Sequence, residues 1–348
     1  MRTGLIVLAM GLGACTGSPP RAADAPPDLL VVVVPSGWGA TPPAALAPHV
    51  LHFPQAQPVH TQPAPAWRSL ITGQWPGTVA SARPNTVQSV LGLYGYRTVG
   101  RAPDVAADPA DRFLADGLDA APFSADGCLA EHLSTFEGLH PTGSDTAVFG
   151  LLVAEGTRCD PASDQAALAR VLTGPKRPHL VTAVVGLAAD DWRSPGRAVP
   201  LYLAGEGFPA GSRDGFASVV DLVPTLLSAA GAVVPSDAIG TSLRPAPDRA
   251  TGPQVIFQQA PNGTLGVRTP DHLLVVTGVD APLPEVAPPS ASVMVLPLTE
   301  TSGPVDAVVA PLYQALYQWD RQRRATSAAD RMGSDAFREL LRDQGYWH

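Results

Sequence analysis

The sequence predicts an α/β fold in which a central sheet is covered by helices on both faces. Two patterns and one bound predict it. Leu29–Val34, Ala147–Val153 and Leu180–Val185 are apolar without alternation, as in strands buried on both sides. Asn85–Leu93, Asp164–Leu172 and Phe216–Gly231 carry helical spacing instead; in the last, residues 216, 219, 220, 223, 226, 227 and 230 make one apolar face. The bound is size: 348 residues, 45% of them hydrophobic, are ample for one large core.

The formal charge of −8 argues against a nucleic-acid partner and against a polybasic membrane contact. Residues 1–15 read as an export signal, with Arg2 as the charged start, Leu5–Met10 as the apolar run and Leu12-Gly13-Ala14-Cys15 at the cut. The last four resemble the lipobox of bacterial lipoproteins, which implies a lipid on Cys15. The expected location is then membrane-anchored, facing the periplasm or the cell exterior. The apolar run is too short to span a bilayer. Residues 16–27, rich in Pro and Ala, read as a flexible spacer. Cys128 and Cys159 remain, and an exported compartment permits a disulfide between them.

In chain order, the first strand ends in Pro35-Ser36, then Gly37-Trp38-Gly39. Val50–Phe53 reads as a short strand. His49, His52 and His60 lie close in sequence, but no carboxylate or thiol joins them, so they read as incidental rather than as a zinc site. Pro63 and Pro65 are expected to hold an extended entry into a short helix over Trp67–Thr72, closed by Gly73 and Pro76. A helix start offers free N–H groups and suits an anion. Beyond residue 250, Val255–Phe257, Leu265–Arg268, His272–Val276 and Val293–Leu296 read as strands. Leu312, Leu316 and Trp319 mark a packing helix, with Pro311 in its first turn and Val305–Val309 set apart as a separate turn. A tail helix is expected from Ser334 to Gly345.

Several stretches resemble the sulfatase family of the alkaline phosphatase superfamily. Leu70-Ile71-Thr72-Gly73 with Pro76 is similar to the end of its nucleophile segment. Gly95-Tyr96-Arg97-Thr98 is similar to its Gly-Tyr-x-Thr strand, and Arg197-Ala198-Val199-Pro200-Leu201 to its Arg-Val-Pro-Leu strand. Val220-Asp221-Leu222-Val223-Pro224-Thr225-Leu226-Leu227 is similar to Val-Asp-Leu-x-Pro-Thr-Leu-Leu, and Gly240-Thr241-Ser242-Leu243 to Gly-x-Ser-Leu. The resemblance implies a mixed, mainly parallel central sheet over residues 28–250 and a small antiparallel subdomain over 251–348.

Against that pattern the chemistry is missing. Counted without gaps, the family nucleophile falls on Pro63 and the family arginine on Trp67. The four metal-ligand positions fall on Pro35, Ser36, Gly186 and Leu187. The sulfate-binding lysine becomes Arg101 and the histidine Pro103. Hard cations such as calcium take several oxygen ligands, mainly carboxylates, so no resident cofactor is expected. The resemblance therefore implies a catalytically degenerate sulfatase-like lipoprotein with a binding or scaffold role. Arg68 and Arg101 are candidates to hold an anionic small molecule, glycan or envelope protein. Two other readings stay open: a hydrolase using displaced groups such as Thr61, Asp190, Asp191 and a histidine, and a purely structural envelope protein.

Overall fold

Strand β1, Asp28–Val34, runs through the middle of a seven-stranded sheet with every residue buried. The computed structural model describes residues 26–77, 84–101, 116–120, 122–124, 127–139, 146–154, 159–174, 179–187, 198–245, 255–279, 281–286, 293–298 and 305–331, with the backbone alone for Ser36, 305–306 and 326–331. The other strands of this sheet are β2 (Leu51–His52), β4 (Arg97–Gly100), β5 (Val148–Val153), β6 (Leu180–Gly186), β7 (Leu201–Ala204) and β8 (Gly211–Ser212), in the order β4-β5-β1-β6-β7-β2-β8. The first four in that order are parallel, β7 is antiparallel to β6, and β2 is antiparallel to β7. A separate parallel pair joins β3 (Gln55–Gln57) to β9 (Phe216–Ser218).

Alternation along β1 divides the core in two. Leu29, Val31 and Val33 face one apolar cluster, while Leu30, Val32 and Val34 face another. Helices α1 (Pro63–Thr72), α2 (Val87–Leu93) and α5 (Leu222–Ala229) cover the first face. Helices α3 (Leu129–Gly138) and α4 (Pro161–Thr173) cover the second with Leu129, Leu133, Phe136, Leu168 and Val171. Fully burying a Val or Leu side chain stabilises by about 1.5–3 kcal/mol, so β1 contributes heavily to both halves. At Gly150 the absent side chain admits the Phe136 ring, since a Cβ there would lie 2.5 Å from Cε2.

Cys128 and Cys159 form a disulfide, with their Cα atoms 5.6 Å apart. It joins the N-cap of α3 to the residue before Asp160, the N-cap of α4. Asp164 adds a second tie by accepting from the Ala130 N–H at 3.0 Å.

The last part of the chain forms an antiparallel meander of β10 (Ile256–Gln259), β11 (Leu265–Arg268), β12 (His272–Val276) and β13 (Val293–Pro297). Helix α6, Val305–Arg331, packs on it through Leu312, Tyr313, Leu316 and Trp319. Trp75, just past α1, meets Phe257 edge-on at 5.5 Å, and Phe257 stacks on Trp319 at 5.1 Å. This aromatic column and the Gln259 N–H to Val59 carbonyl bond (3.0 Å) dock the meander on the core. Among the described residues, no helix is long and apolar enough to cross a membrane.

Three expectations need correction. Helix α1 starts at Pro63, so the two prolines lie inside its first turn rather than in an extended entry. First-turn N–H groups have no partner within the helix, so proline is tolerated there. Helix α6 continues through Pro311, with no separate turn at Val305–Val309. The apolar face that follows, from Leu312 to Trp319, offsets the lost hydrogen bond and the ring clash, together about 3 kcal/mol. Finally, Phe216 belongs to a strand rather than to the helical face read from residue 216; a 3₁₀ turn at Val219–Asp221 precedes α5. Residues 334–345, expected as a tail helix, lie outside the described residues.

Asp221 holds that strand-to-helix turn. Its two carboxylate oxygens accept from the N–H groups of Ser218 (2.8 Å) and Thr241 (2.7 Å). Burial pushes its carboxyl up to about 7, although both main-chain donors favour the charged form. A raised folded-state value means the associated stability is present at low pH and is lost as pH rises. The stability of the native protein relative to Asp221→Asn should therefore fall from pH 3.8 to about 7 and level off above. The slope should not exceed about 1.4 kcal/mol per pH unit. Urea unfolding across that range measures it; a flat difference would show an ordinary carboxyl value in the folded state.

Candidate functional site

In open α/β sheets, ligands gather beyond the carboxyl ends of the strands. Strands β4, β5, β1 and β6 all end on one edge here. That edge carries Arg101 after β4, Ala154 after β5, Pro35 and Ser36 after β1, and Gly186 and Leu187 at the end of β6. Val34 is level with Gly186, and Val33 with both Val153 and Val185, so the topology brings these residues together as the sequence reading required.

Among the described residues, packing side chains occupy much of this edge. Residues Ser36–Trp38 form one 3₁₀ turn, closed by the Trp38 N–H to Pro35 carbonyl bond at 3.1 Å. Trp38 is buried in the second cluster. Tyr202 then fixes the loop: its hydroxyl donates to the Gly39 carbonyl and, at 3.2 Å, to the Thr41 carbonyl. Burial raises the pKa of that hydroxyl. Leu187 is buried in the first cluster beside Val185 and Val199. Gly186 has no space for a side chain at all. A Cβ there would lie 2.6 Å from Pro200 Cδ and 3.3 Å from Cγ, and the Gly186 N–H donates to the Pro200 carbonyl at 2.8 Å.

Helix α1 supplies the second half. Pro63 is its first residue and Pro65 its third, so two of its first four N–H groups do not exist. Gln62, at the N-cap, makes no capping hydrogen bond through its side chain. The anion-binding capacity of a helix start is accordingly cut by half. Trp67 is fully buried, and its indole N–H has no hydrogen-bond partner. Ser69 is also fully buried with its hydroxyl unpartnered, out of reach of any ester in solution. Thr61, the other nearby hydroxyl, is half-buried. The C-cap is tightly fitted: Gly73 takes φ +69°, and a Cβ there would lie 3.0 Å from Val223 Cβ.

The two arginines sit on different elements. Arg101 follows the edge strand, and its guanidinium donates to the Ser124 carbonyl at 3.1 Å. Arg68 lies in the second turn of α1, half-buried. The three histidines are dispersed in role. His49 is exposed, and His52 Nδ1 bonds the Gly211 carbonyl at 2.9 Å. His60 is buried, and its Nδ1 accepts from the Gln62 N–H at 2.8 Å. Burial pushes the His60 imidazole down to about 4, so it is neutral at physiological pH. Among the described residues, no three His, Cys, Asp or Glu side chains form a group able to hold a metal ion. Cys15, Pro103, Asp190 and Asp191 lie outside the described residues.

No protein-family model matches the chain, and no curated protein matches it in sequence. Solved structures do match. A protein of the alkaline phosphatase superfamily from Vibrio parahaemolyticus aligns at TM-score 0.60 and 15% identity, covering 86% of this chain and 88% of that one. A 2-O GAG sulfatase aligns at TM-score 0.57 and 11% identity, with coverage of 89% and 94%. A phosphonate monoester hydrolase from Silicibacter pomeroyi aligns at 0.56 and 14%, with 86% and 98%. The chain has the fold of the alkaline phosphatase superfamily. On that fold the residues present do not suit the calcium ion that the sulfatase resemblance implies. Such an ion takes six to eight oxygens. Of the four ligand positions only Ser36 carries a side-chain oxygen, and Gly186 is walled off by Pro200. The role of Pro200 was missed in the sequence; its only signal was the Arg-Val-Pro-Leu likeness.

Placing a carboxylate at the end of β6 should therefore be costly. Gly186→Asp is expected to destabilise the protein by about 1–3 kcal/mol or more through overpacking against Pro200. Pro63→Ser, at an exposed first-turn site, should shift stability by less than about 1 kcal/mol. Paired denaturation curves check the contrast, and equal effects would refute the steric account.

Proposed function

We propose that this chain is a sulfatase-fold lipoprotein whose ester-hydrolysing site has been dismantled, and that it acts at the bacterial envelope as a binding or scaffold protein. One observation carries the reading: the strand ends that should present carboxylates are filled by Pro35, the Trp38 turn, the Gly186–Pro200 contact and buried Leu187. Sulfate-ester cleavage needs an activated nucleophile and a cation to polarise the ester. A proline at the nucleophile position has neither thiol nor hydroxyl. The hydroxyl of the buried Ser69 has no hydrogen-bond partner, so no base is placed to activate it. Lipid on Cys15 would supply the tether, and Arg68 and Arg101 are the cations assigned to an anionic ligand, Arg101 while also held by the Ser124 carbonyl.

The mature protein, purified with its lipid, should carry no stoichiometric calcium, zinc or manganese by elemental analysis. It should not turn over aryl sulfates or aryl phosphates. Tight metal together with turnover that Thr61→Ala or Asp190→Asn abolishes would overturn the reading in favour of a working hydrolase. A thermal-shift series with sulfated and unsulfated glycans tests the binding role. A shift with the sulfated forms alone, reduced by Arg68→Ala or Arg101→Ala, is the expected result.

A further inference from the structure

The amino edge of the sheet, opposite the candidate site, brings together the origin of the tether and an exposed apolar patch. Asp28, which opens β1, is level with Leu180. The preceding Pro27 carbonyl accepts from the Tyr96 hydroxyl at 2.9 Å. Cys15 and Pro27 are twelve positions apart in sequence (27 − 15 = 12), a reach of at most about 40 Å when extended. Leu93 ends α2 three residues before Tyr96 and is 87% exposed; Tyr94, next to it, is 46% exposed. Val233, 72% exposed, adjoins them, because its N–H donates to the Tyr94 hydroxyl at 3.0 Å. Single exposed apolar residues need no explanation. Three linked in a row, Leu93 to Tyr94 by the chain and Tyr94 to Val233 by that bond, on the sheet edge where the proposed tether enters do.

We propose that Leu93, Tyr94 and Val233 rest on the lipid bilayer, so that the tethered domain stands with the carboxyl edge of its sheet facing away from the membrane. The inference rests on the lipidation at Cys15 proposed above. The acyl chains hold the protein to the surface, and the patch sets its orientation. Leu93 and Val233 suit the boundary between headgroups and acyl chains, and the half-exposed Tyr94 ring, its hydroxyl held by the Val233 N–H, joins them. The occupant is an uncharged lipid surface: a net charge of −8 gives no attraction to anionic headgroups. Strand β1 separates the two edges by seven residues, about 23 Å, which makes the orientation measurable.

The test uses full-length lipidated protein in phosphatidylcholine vesicles, with one added cysteine carrying a bimane label. Leu93→Cys reports the patch and Gly37→Cys reports the carboxyl edge. Leu93 is almost fully exposed, and a Cβ at Gly37 meets nothing within 4 Å, so neither change disturbs packing. Cys128 and Cys159 are paired and do not take the label. Doxyl-labelled lipid should quench position 93 more than position 37, with the opposite order for aqueous iodide. Equal iodide quenching at both positions on vesicle-bound protein overturns the docking and leaves the lipid anchor standing. A mature protein whose mass shows no acyl group on Cys15 overturns both.

Discussion

The double burial of β1 is the constraint on which the rest of the structure depends. Its backbone is shared between two parallel neighbours, and its side chains are divided between two cores. Neither face is available to water, so helices must cover both, and the chain must cross from one side of the sheet to the other to supply them. Helices α1, α2 and α5 on one face and α3 and α4 on the other meet that demand. The same constraint directs the parallel strands to a common carboxyl edge. A fold of this kind offers a place for chemistry whether or not the residues there can perform it.

What occupies that edge follows a consistent physical theme. Among the described residues there, the chain favours shape. Trp38 folds back into the core, Tyr202 uses its hydroxyl to hold a loop, and Pro200 presses on a glycine. Each choice favours packing at or beside a strand end. The start of α1 shows the same substitution. Proline suits the first turn of a helix sterically while removing the donors that make such a turn attractive to anions.

Much of this was legible in the sequence, for definable reasons. Strands buried on both faces leave unbroken apolar runs, so β1, β5 and β6 could be read to within a residue or so. The residues at the carboxyl ends of β1 and β6 could be named in advance because those strands are strongly marked. The start of α1 could not, since prolines signal an extended entry and a first helical turn equally well. Nor could β9: its Phe216 happens to fall on the helical period of α5, and only the Asp221 bonds to Ser218 and Thr241 separate the two elements. The continuity of α6 through Pro311 is a tertiary outcome, set by the sheet it lies on. Contact between Pro200 and Gly186 joins residues from different strands and leaves no local trace.

The bridge between Cys128 and Cys159 has a consequence for how the molecule matures. It closes a loop of 31 residues between the starts of two helices that pack together. A covalent closure of that length restricts the unfolded chain by about 3–4 kcal/mol in the chain-entropy model. Thiols stay reduced in the cytosol, so a polypeptide retained there would lack that restriction and would hold α3 and α4 together by packing and the Asp164 bond alone. Completion of this face of the molecule thereby depends on oxidation of the two thiols, and a chain still carrying free sulfhydryls would be the form most open to proteolysis.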